Sequence, residues 1–391
     1  MRPLEDVRVL DLSRLVAGGM LTAVLADFGA EVVKVEQPGR GDPMRTWTHK
    51  GEPLWWKVYA RNKKSVTLNL SDPRGQDLCR RLAARADILV ENFVPGTLEE
   101  WHLGPEDLHA ANPRLIIVRI SGWGQEGPYA DRPGFGTLVE AASGFASLTG
   151  FPDRPPVLPP LPLADMVAAL YGVGAALMAL RVRDSVGGQV LDLSLFEPLF
   201  SILGPQPAEY TRFGTVRSRI GNLSHNAAPR NTYQAKDGTW FAVSASTQSM
   251  TERLLRAIGL AALLEDARFR TNADRLRHRE ELDAIIAGEF AKRTTDDLMR
   301  LFTEEGVTAM PVFDISQILA DPHFKERDVV VSVLDEEGGA VAMHNVIPRF
   351  SRTPGAIEHS GPTLGAHNAE IYGRLGLGEQ DIRELRETGV I

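Results

Sequence analysis

The N-terminal third of the chain alternates short apolar runs with longer amphipathic segments, and this rhythm restricts the fold more than any other feature. Helical patterns lie between several of the apolar runs, as at 18–28 and 73–85. Strands that alternate with helices form parallel sheets covered on both faces. The sequence therefore predicts an α/β fold whose large domain has a Rossmann-like sheet. The predicted strands lie at 7–12, 31–36, 65–70, 87–91 and 115–120.

The pattern changes near Arg230, where shorter alternating runs appear. The runs 231–235 and 239–244 flank Lys236-Asp237-Gly238, a turn sequence typical of a hairpin. A second hairpin is predicted around 335–339. Helical patterns lie at 248–258, 279–290 and 295–305. We predict four segments: a large domain over 1–200, a linker over 201–224, a small α+β domain over 225–325, and a C-terminal segment, 326–391, that returns to the large domain.

Composition limits the functions open to the chain. It has 391 residues, 43% of them hydrophobic, with a formal net charge of −8 and one cysteine. The acidic balance argues against nucleic-acid binding, and Cys79, in a helical pattern, is expected to be a buried side chain rather than a nucleophile. Because no secretory signal and no charge-free membrane-length apolar run is found, we predict a soluble cytoplasmic protein without a membrane partner.

Two further features bear on cofactors. The segment Gly122–Gly127 matches G-x-G-x-x-G after a strand, but Pro128 follows it and no helical pattern begins inside it, so we predict no nicotinamide or flavin site. The nine histidines lack metal-ligand spacing, and we predict no metal. Basic residues form two clusters that fit either a solvated face or an anion site. The clusters are Arg61, Lys63 and Lys64, and Arg40 and Arg45.

A single carboxylate, Asp165, stands between a proline-rich run and the apolar segment 166–180. The segment predicts a buried helix with Asp165 in or near its first turn. Two compatible interpretations are open. Asp165 can cap the helix by accepting a backbone N–H. It can also be a carboxylate that the helix dipole keeps ionised in a sparsely hydrated site, ready to attack an activated acyl group.

Seven motifs, in their order and spacing, resemble the class III coenzyme A transferase family of the CaiB/BaiF type. That family includes formyl-CoA and carnitine CoA-transferases and is related to the α-methylacyl-CoA racemases. The resemblance runs from about Val7 to the C-terminus and is dense over the first half. The motifs are Val9–Leu12, Leu25–Glu36, Gly41–Pro43, Arg61–Ser65, Val90–Gly96, Ser121–Tyr129 and Arg132–Gly136.

The resemblance implies the activity. An acyl-CoA:carboxylate CoA-transferase moves coenzyme A from an acyl-CoA thioester to a carboxylic acid, with Asp165 as the nucleophile and with aspartyl anhydride and aspartyl-CoA thioester intermediates. Coenzyme A and acyl-CoA are then substrates. The resemblance also implies an interlocked homodimer, each chain threaded through the other.

The resemblance further implies a set of substrate contacts. Val16 aligns with a residue near the thioester, Arg40 and Lys63 are the candidates for the phosphates, and Gly134, Phe135 and Gly136 form a loop beside the nucleophile. Unobstructed backbone in that loop can offer N–H groups to an oxyanion. The adenine and pantetheine contacts correspond to Leu68, Asn69, Leu70, Ser71, Asn92, Phe93 and Val94.

Three departures from the family pattern bear on specificity. The run 99–102 is acidic where the family often has a basic residue, and Ser244–Gln248 replaces a glycine-rich loop. Phe135 stands where racemases have a histidine, and a phenyl ring cannot shuttle a proton. An acyl-CoA racemase is therefore a disfavoured alternative. A non-catalytic CoA-binding protein is another, and the retained Asp165 argues against it.

Overall fold

The structure, a computed structural model, describes residues 1–336 and 338–391. Its strands are β1 (Arg8–Asp11), β2 (Glu31–Glu36), β3 (Lys63–Thr67), β4 (Ile88–Glu91), β5 (Ile116–Ser121), β6 (Val190–Ser194), β7 (Arg230–Gln234), β8 (Trp240–Ser244), β9 (Ala309–Pro311), β10 (Val330–Leu334) and β11 (Ala340–His344).

The helices of the first half are α1 (Val16–Asp27), α2 (Leu54–Tyr59), α3 (Pro73–Ala83), α4 (Thr97–Glu100), α5 (Pro105–Ala111), α6 (Gly136–Ala142), α7 (Phe145–Leu148), α8 (Leu163–Val186), α9 (Phe196–Ser201) and α10 (Gln206–Phe213). Those of the second half are α11 (Gln248–Ala257), α12 (Asn272–Arg277), α13 (Arg279–Phe290), α14 (Thr295–Glu305), α15 (Ile315–Ala320), α16 (Pro322–Glu326), α17 (Asn368–Arg374) and α18 (Glu379–Glu387).

A six-stranded sheet in the order β3-β2-β1-β4-β5-β6 forms the centre of the larger unit. All its neighbouring strands are parallel, which confirms the predicted α/β class. The five predicted strands agree with β1 to β5 within a few residues. Strand β6 was not predicted, because its five residues form a short, half-exposed strand directly after a long helix.

Two apolar layers cover the sheet. On one face, side chains from α3, α5, α17 and α18 pack around the fully buried Cys79 and Tyr372. On the other face, α1 and α8 pack through Leu21, Leu25 and the small residues of α8. The C-terminal segment is tied to β3, where the Tyr372 hydroxyl donates to the Thr67 carbonyl at 2.7 Å.

A second compact unit has its own sheet, β7-β8-β9, and its own core. The predicted hairpin is present, since β7 and β8 pair antiparallel. Helices α11, α13 and α14 bury leucine and phenylalanine side chains against it, with Phe241, Phe290 and Phe302 in mutual contact. The aromatic rings give this small sheet an apolar interior.

The unit boundaries follow from internal contacts. The larger unit comprises Met1–Ala146, Leu158–Thr215 and Glu326–Ile391, and the smaller one Ser147–Val157 and Val216–Lys325. The domain limits expected from the sequence stay a prediction. In the larger unit, β10 and β11 pair antiparallel, as the hairpin predicted around 335–339 requires; Glu337 lies outside the described residues.

Candidate active site

Helix α8 begins immediately after a proline-rich run, and Asp165 lies in its first turn, as predicted. The N-cap position belongs to Pro162, which has no side-chain acceptor, and the helix has no side-chain cap. Asp165 is the third helical residue and is not the cap. The capping interpretation is therefore wrong, and the carboxylate is left for another role.

The Asp165 carboxylate is half-buried, and among residues 1–336 and 338–391 no cation acts on it. Its pKa is raised to about 6, mainly because burial disfavours the charged form; a backbone hydrogen bond lowers the pKa, and the charge of Glu140 adds a smaller upward contribution. The expectation that the helix terminus holds the pKa down is corrected, because desolvation outweighs it. Asp165 is still ionised at neutral pH, and it is more basic than an exposed aspartate.

Glycines allow the backbone to approach Asp165. A Cβ atom on Gly136 would lie 2.2 Å from Asp165 Oδ2, closer than any side chain tolerates. Gly122 and Gly134 make a similar backbone contact, where a Cβ on Gly122 would lie 2.4 Å from the Gly134 Cα. Between the glycines, Phe135 is 64% exposed. The predicted loop Gly134–Gly136 therefore borders the carboxylate.

Glu140 is a residue that the sequence analysis missed. It is only 2% exposed, and its Oε1 accepts a hydrogen bond from the Ala164 N–H at 3.2 Å. It follows Gly136 by one helical turn on α6, so both face the start of α8. An acidic residue on a short helix ordinarily indicates a solvated face, and the sequence offered no signal to the contrary.

A cleft of about 590 Å³ lies beyond the carboxyl ends of β1 to β4. This is where the strand order reverses, at β1 and β4, and open parallel sheets bind ligands at such a point. Its lining includes Arg14, Lys34 and Trp101. Six predicted substrate contacts line it: Arg40, Leu68, Asn69, Leu70, Ser71 and Phe93.

The side-chain amide of Asn92 is bonded to the backbone of Arg14 and stabilises the wall of the cleft. Its Oδ1 accepts from the Arg14 N–H and its Nδ2 donates to the Arg14 carbonyl, each at 2.7 Å. The next residue, Leu15, has a φ of 61°, a strained value for a residue with a Cβ. The Leu15 N–H donates to Asp42 Oδ1 at 3.1 Å. Asn92 and Asp42 together hold the turn into α1.

Arg14 is a second residue missed from the sequence. Its guanidinium lies 5.1 Å from the centre of the Phe93 ring, at the cleft. Phe93 packs edge-on against Trp101, with ring centroids 5.2 Å apart. Val94, by contrast, is 62% exposed and does not line this cleft. The cleft thus combines aromatic surface with the cations Arg14 and Arg40, a combination that fits a phosphorylated nucleotide.

Lys63 is not available for a phosphate, which corrects the prediction. Its side chain is 1% exposed, and its ammonium donates to Asp11 Oδ2 at 3.1 Å, the Gly19 carbonyl at 2.8 Å and the Thr22 hydroxyl at 2.7 Å. All three donors of an ammonium are thereby used. The other cluster members are also paired: Arg61 with Asp27, Lys64 with Glu31 and Glu370, and Arg45 with Glu36.

Val16, predicted near the thioester, is fully buried at the start of α1. It belongs to an apolar cluster with Met44 and Trp56, against which Met166 packs. Met166 follows Asp165 directly. The cluster therefore connects the Leu15 turn at the cleft with the helix turn that contains the carboxylate, although Asp165 does not itself line the cleft.

Several other chemistries find little support in the part of the chain that the structure describes. After Gly122–Gly127 no helix begins before Gly136, so this loop is not a dinucleotide fingerprint. Among residues 1–336 and 338–391, no group of three or more His, Cys, Asp or Glu is arranged to hold a metal ion. Burial raises the pKa of the Cys79 thiol to about 12, far from a reactive thiolate.

The loop Ser244–Gln248 lies in the smaller unit, between β8 and α11. Thr247 caps α11 by accepting from the Met250 N–H at 3.3 Å. Gln248 Oε1 accepts from the buried Arg275 guanidinium at 2.9 Å. These contacts tie the end of the loop to its own unit.

Comparison with known proteins agrees with these observations. The model of "CoA-transferase family III" matches residues 4–368. A succinyl-CoA–D-citramalate CoA-transferase of Chloroflexus aurantiacus is 46% identical over 100% of this chain and 98% of its own length. A succinate–glutarate CoA-transferase of Agrobacterium fabrum is 34% identical over 95% of this chain and 96% of its own.

A solved structure gives the same result. The crystal structure of a CaiB/BaiF family protein from Brucella suis is 34% identical, with a TM-score of 0.84 over 96% of this chain and 99% of that one. The shared fold, the full-length match and the carboxylate site agree. The chain therefore belongs to CoA-transferase family III and is an acyl-CoA:carboxylate CoA-transferase.

Proposed function

We propose that this enzyme moves coenzyme A between small dicarboxylic acids, with Asp165 as a covalent nucleophile. The observation that supports Asp165 most strongly is its setting: a half-buried carboxylate without a cation, in contact with Gly136. The dicarboxylic class rests on the relatives, whose names pair succinyl-CoA with citramalate or malate, or succinate with glutarate. Cytoplasmic localisation is part of the same proposal.

The reaction consists of two acyl exchanges. An Asp165 oxygen attacks the thioester carbonyl, the C–S bond breaks, and an anhydride forms as CoA thiolate leaves. The thiolate attacks the aspartyl carbonyl, the C–O bond breaks, and the donor acid leaves as a carboxylate. The acceptor carboxylate then repeats both steps in reverse order. Asp165 ends as a carboxylate, and no net proton is consumed.

A carboxylate is needed because only an acyl oxygen forms first an anhydride and then a thioester. The raised pKa of Asp165 supports this role, since a more basic carboxylate is the better nucleophile while still ionised above pH 6. Gly134 and Gly136 are proposed to leave backbone N–H groups open to the oxyanion. Partial burial limits water, which hydrolyses both intermediates.

The nucleotide end of coenzyme A is proposed to lie in the cleft beyond β1 to β4. The adenine would contact Phe93 and the segment Leu68–Ser71, and the phosphates would meet Arg40 and Arg14. Arginine forms paired hydrogen bonds with phosphate oxygens, which lysine does not. The apolar cluster around Val16 would then flank the pantetheine on its way to Asp165.

A homodimer is proposed from an apolar surface. Helix α8 is long and apolar enough to cross a membrane, with a mean hydropathy of 1.8 over its most apolar stretch. One face of the helix nevertheless packs against the six-stranded sheet. Its other face is exposed, and so are parts of α9 and α10. A second copy is the proposed partner, as the resemblance implies. The exposed side chains include Leu170, Leu177, Met178, Val182, Ile202, Tyr210 and Phe213.

The substrate proposal is tested by incubating the enzyme with succinyl-CoA and a panel of mono- and dicarboxylic acids, with new thioesters read by mass spectrometry. We expect transfer to four- and five-carbon dicarboxylates and much slower transfer to monocarboxylates of equal length. Equal transfer to both classes would contradict the dicarboxylic proposal. Asp165→Asn is the matched blank, because it keeps the shape of the side chain and removes the nucleophile.

A further inference from the structure

A second carboxylate, Glu140, is buried beside the first turn of α8. We propose that Glu140 is a positioning residue for Asp165, which fixes that turn through the Ala164 N–H and favours the acylated forms of Asp165 over its ionised form. This inference rests on the proposed role of Asp165 as the nucleophile. It assigns a task to a residue that does not touch the reacting atoms.

Glu140 supports the backbone at the start of α8. Helix α8 has no side-chain cap, so its first N–H groups need other acceptors. Ala164 is fully buried, and Glu140 Oε1 is the acceptor for its N–H at 3.2 Å. Without Glu140, a buried N–H would be left unpaired next to the nucleophile. The residue thus holds the backbone from which the Asp165 side chain extends.

The shape of α6 brings Glu140 close to Asp165. Gly136 has no side chain, and Asp165 Oδ2 occupies the space where a Cβ would lie. Glu140 follows one turn later on the same face. Helix α6 therefore places two residues against the start of α8: Gly136, which leaves space for the Asp165 carboxylate, and Glu140, whose own carboxylate is buried. Water would screen the charge of an exposed acid. Glu140 is only 2% exposed, so its charge acts on Asp165 through a medium of low dielectric constant.

The charges around Asp165 are not balanced. The charge of Glu140 acts on Asp165 and raises its pKa, so it disfavours the ionised form of Asp165. The elements packed against α8 are α1, α6, α9, β5 and β6. Their other charged residues are bound elsewhere: Asp27 to Arg61, Arg119 to Glu91 and Glu99, Asp192 to the Gln125 N–H, and Glu197 to the Ser194 hydroxyl.

Acylation of Asp165 moves its negative charge onto the leaving group. When Asp165 attacks, its O–C bond forms, the C–S bond of the donor breaks, and the negative charge leaves on the CoA thiolate. When the thiolate attacks the aspartyl carbonyl, the charge leaves on the released acid. In both intermediates Asp165 is neutral, so the repulsion from Glu140 is relieved. Glu140 therefore destabilises the free enzyme relative to the anhydride and the thioester.

The experiment compares wild type, Glu140→Gln and Glu140→Ala at a fixed ratio of succinyl-CoA to succinate without another acceptor. Intact mass gives the fraction of enzyme bearing CoA, peptide mapping locates it, and single-turnover acylation is followed against pH. Glutamine keeps an oxygen for the Ala164 N–H but removes the charge. Glu197→Gln, an acid on the neighbouring α9, is the control and is expected to behave as wild type.

For Glu140→Gln we expect a folded protein whose ratio of thioester to free enzyme falls roughly threefold to tenfold, because the repulsion that disfavours ionised Asp165 is removed. Its acid limb should move to lower pH. Glu140→Ala should show the same loss and also unfold at a lower temperature. An unchanged ratio and acid limb in folded Glu140→Gln would overturn the inference. If CoA on the wild type maps to a residue other than Asp165, the proposed nucleophile itself fails, and this inference with it.

Discussion

Asp11 and Asp165 are both removed from water, and their surroundings make them opposites. Asp11 is fully buried at the end of β1. Burial opposes its charge, but Lys34 and Lys63, with hydrogen bonds from Ser13 and Thr22, hold its pKa below the usual range. The pKa of Asp165 is raised to about 6, because burial disfavours its charge, no cation offsets that cost, and the carboxylate of Glu140 adds to it.

The difference separates a structural carboxylate from a reactive one. The lone pairs of Asp11 are all committed to donors, so it is inert and fixes the start of α1. Asp165 has a backbone hydrogen bond but no cation beside it among the described residues, and acylation removes its negative charge. A buried carboxylate is therefore not reactive merely because it is buried. It is a candidate for a reactive group when no cation compensates its charge.

The largest effect is expected at the reactive carboxylate. Asp165→Ala should lower transfer by more than about 10⁴-fold, as loss of a covalent nucleophile does, while CoA binding persists. Steady-state assays and calorimetric titration with CoA measure the two. Near wild-type transfer by the folded variant would remove the distinction between the two carboxylates.

The structural carboxylate should affect stability instead. Asp11→Asn leaves Lys63 buried without its anion and Lys34 with Asp42 alone, a change that costs about 3–5 kcal/mol. Urea unfolding at neutral pH measures it. Asp184→Asn, at an exposed ion pair, should leave the midpoint unchanged. A midpoint for Asp11→Asn equal to wild type would show that the buried network is not what holds the β1 end.

Gly136→Ala should slow acylation on the order of 10²-fold with little change in CoA affinity, because the new Cβ meets Asp165 Oδ2 at 2.2 Å. Single-turnover kinetics and CoA titration separate these effects. Gly174→Ala is the matched control on α8, since a Cβ there meets nothing within 4 Å. Comparable rates for both variants would argue against a close backbone approach at the nucleophile.

Asp165→Asn should stabilise the protein, opposite in sign to Asp11→Asn. A folded-state pKa of about 6 against an ordinary 3.8 means that ionised Asp165 destabilises the fold at pH 8, by roughly 1–2 kcal/mol. The destabilisation disappears as pH falls through 6 toward 4, because protonated Asp165 has no charge to desolvate. Urea midpoints at pH 8 and pH 5 test this, and a gain that is larger at pH 5 would contradict the sign.

The smallest effect is the pH profile of the wild type. Acylation needs ionised Asp165, so its rate should fall tenfold per pH unit well below pH 6 and level off above pH 7. If the acylation rate fell only near pH 4, Asp165 would titrate like an exposed aspartate, and its burial would not raise its pKa.

Much of the fold could be predicted because period and turn chemistry are local properties. Strands β1 to β5, the β7–β8 hairpin and the first turn of α8 follow from the pattern of the residues within them. Arg40, Leu68–Ser71 and Phe93 meet in one cleft because parallel strands end at the same edge of the sheet.

The remaining parts depend on long-range packing. Lys63 lies in a basic run, and nothing local reveals that its ammonium reaches Asp11 across the sheet. Glu140 resembles a solvent-facing helix acid until α8 is packed beside α6. Asn92 resembles a ligand contact until its two bonds to Arg14 are known. In each case the partner is far away in sequence, so pattern alone cannot identify it.

The central claim is that Asp165 becomes acylated, and chemical trapping tests it most directly. An aspartate turns electrophilic only as an anhydride or thioester, so hydroxylamine should convert it to a hydroxamate only while acyl-CoA is present. Enzyme quenched with hydroxylamine, with and without succinyl-CoA, is digested and mapped by mass spectrometry. We predict label on the peptide containing Asp165 and only with succinyl-CoA. Label on another peptide, or equal label without succinyl-CoA, would contradict the account.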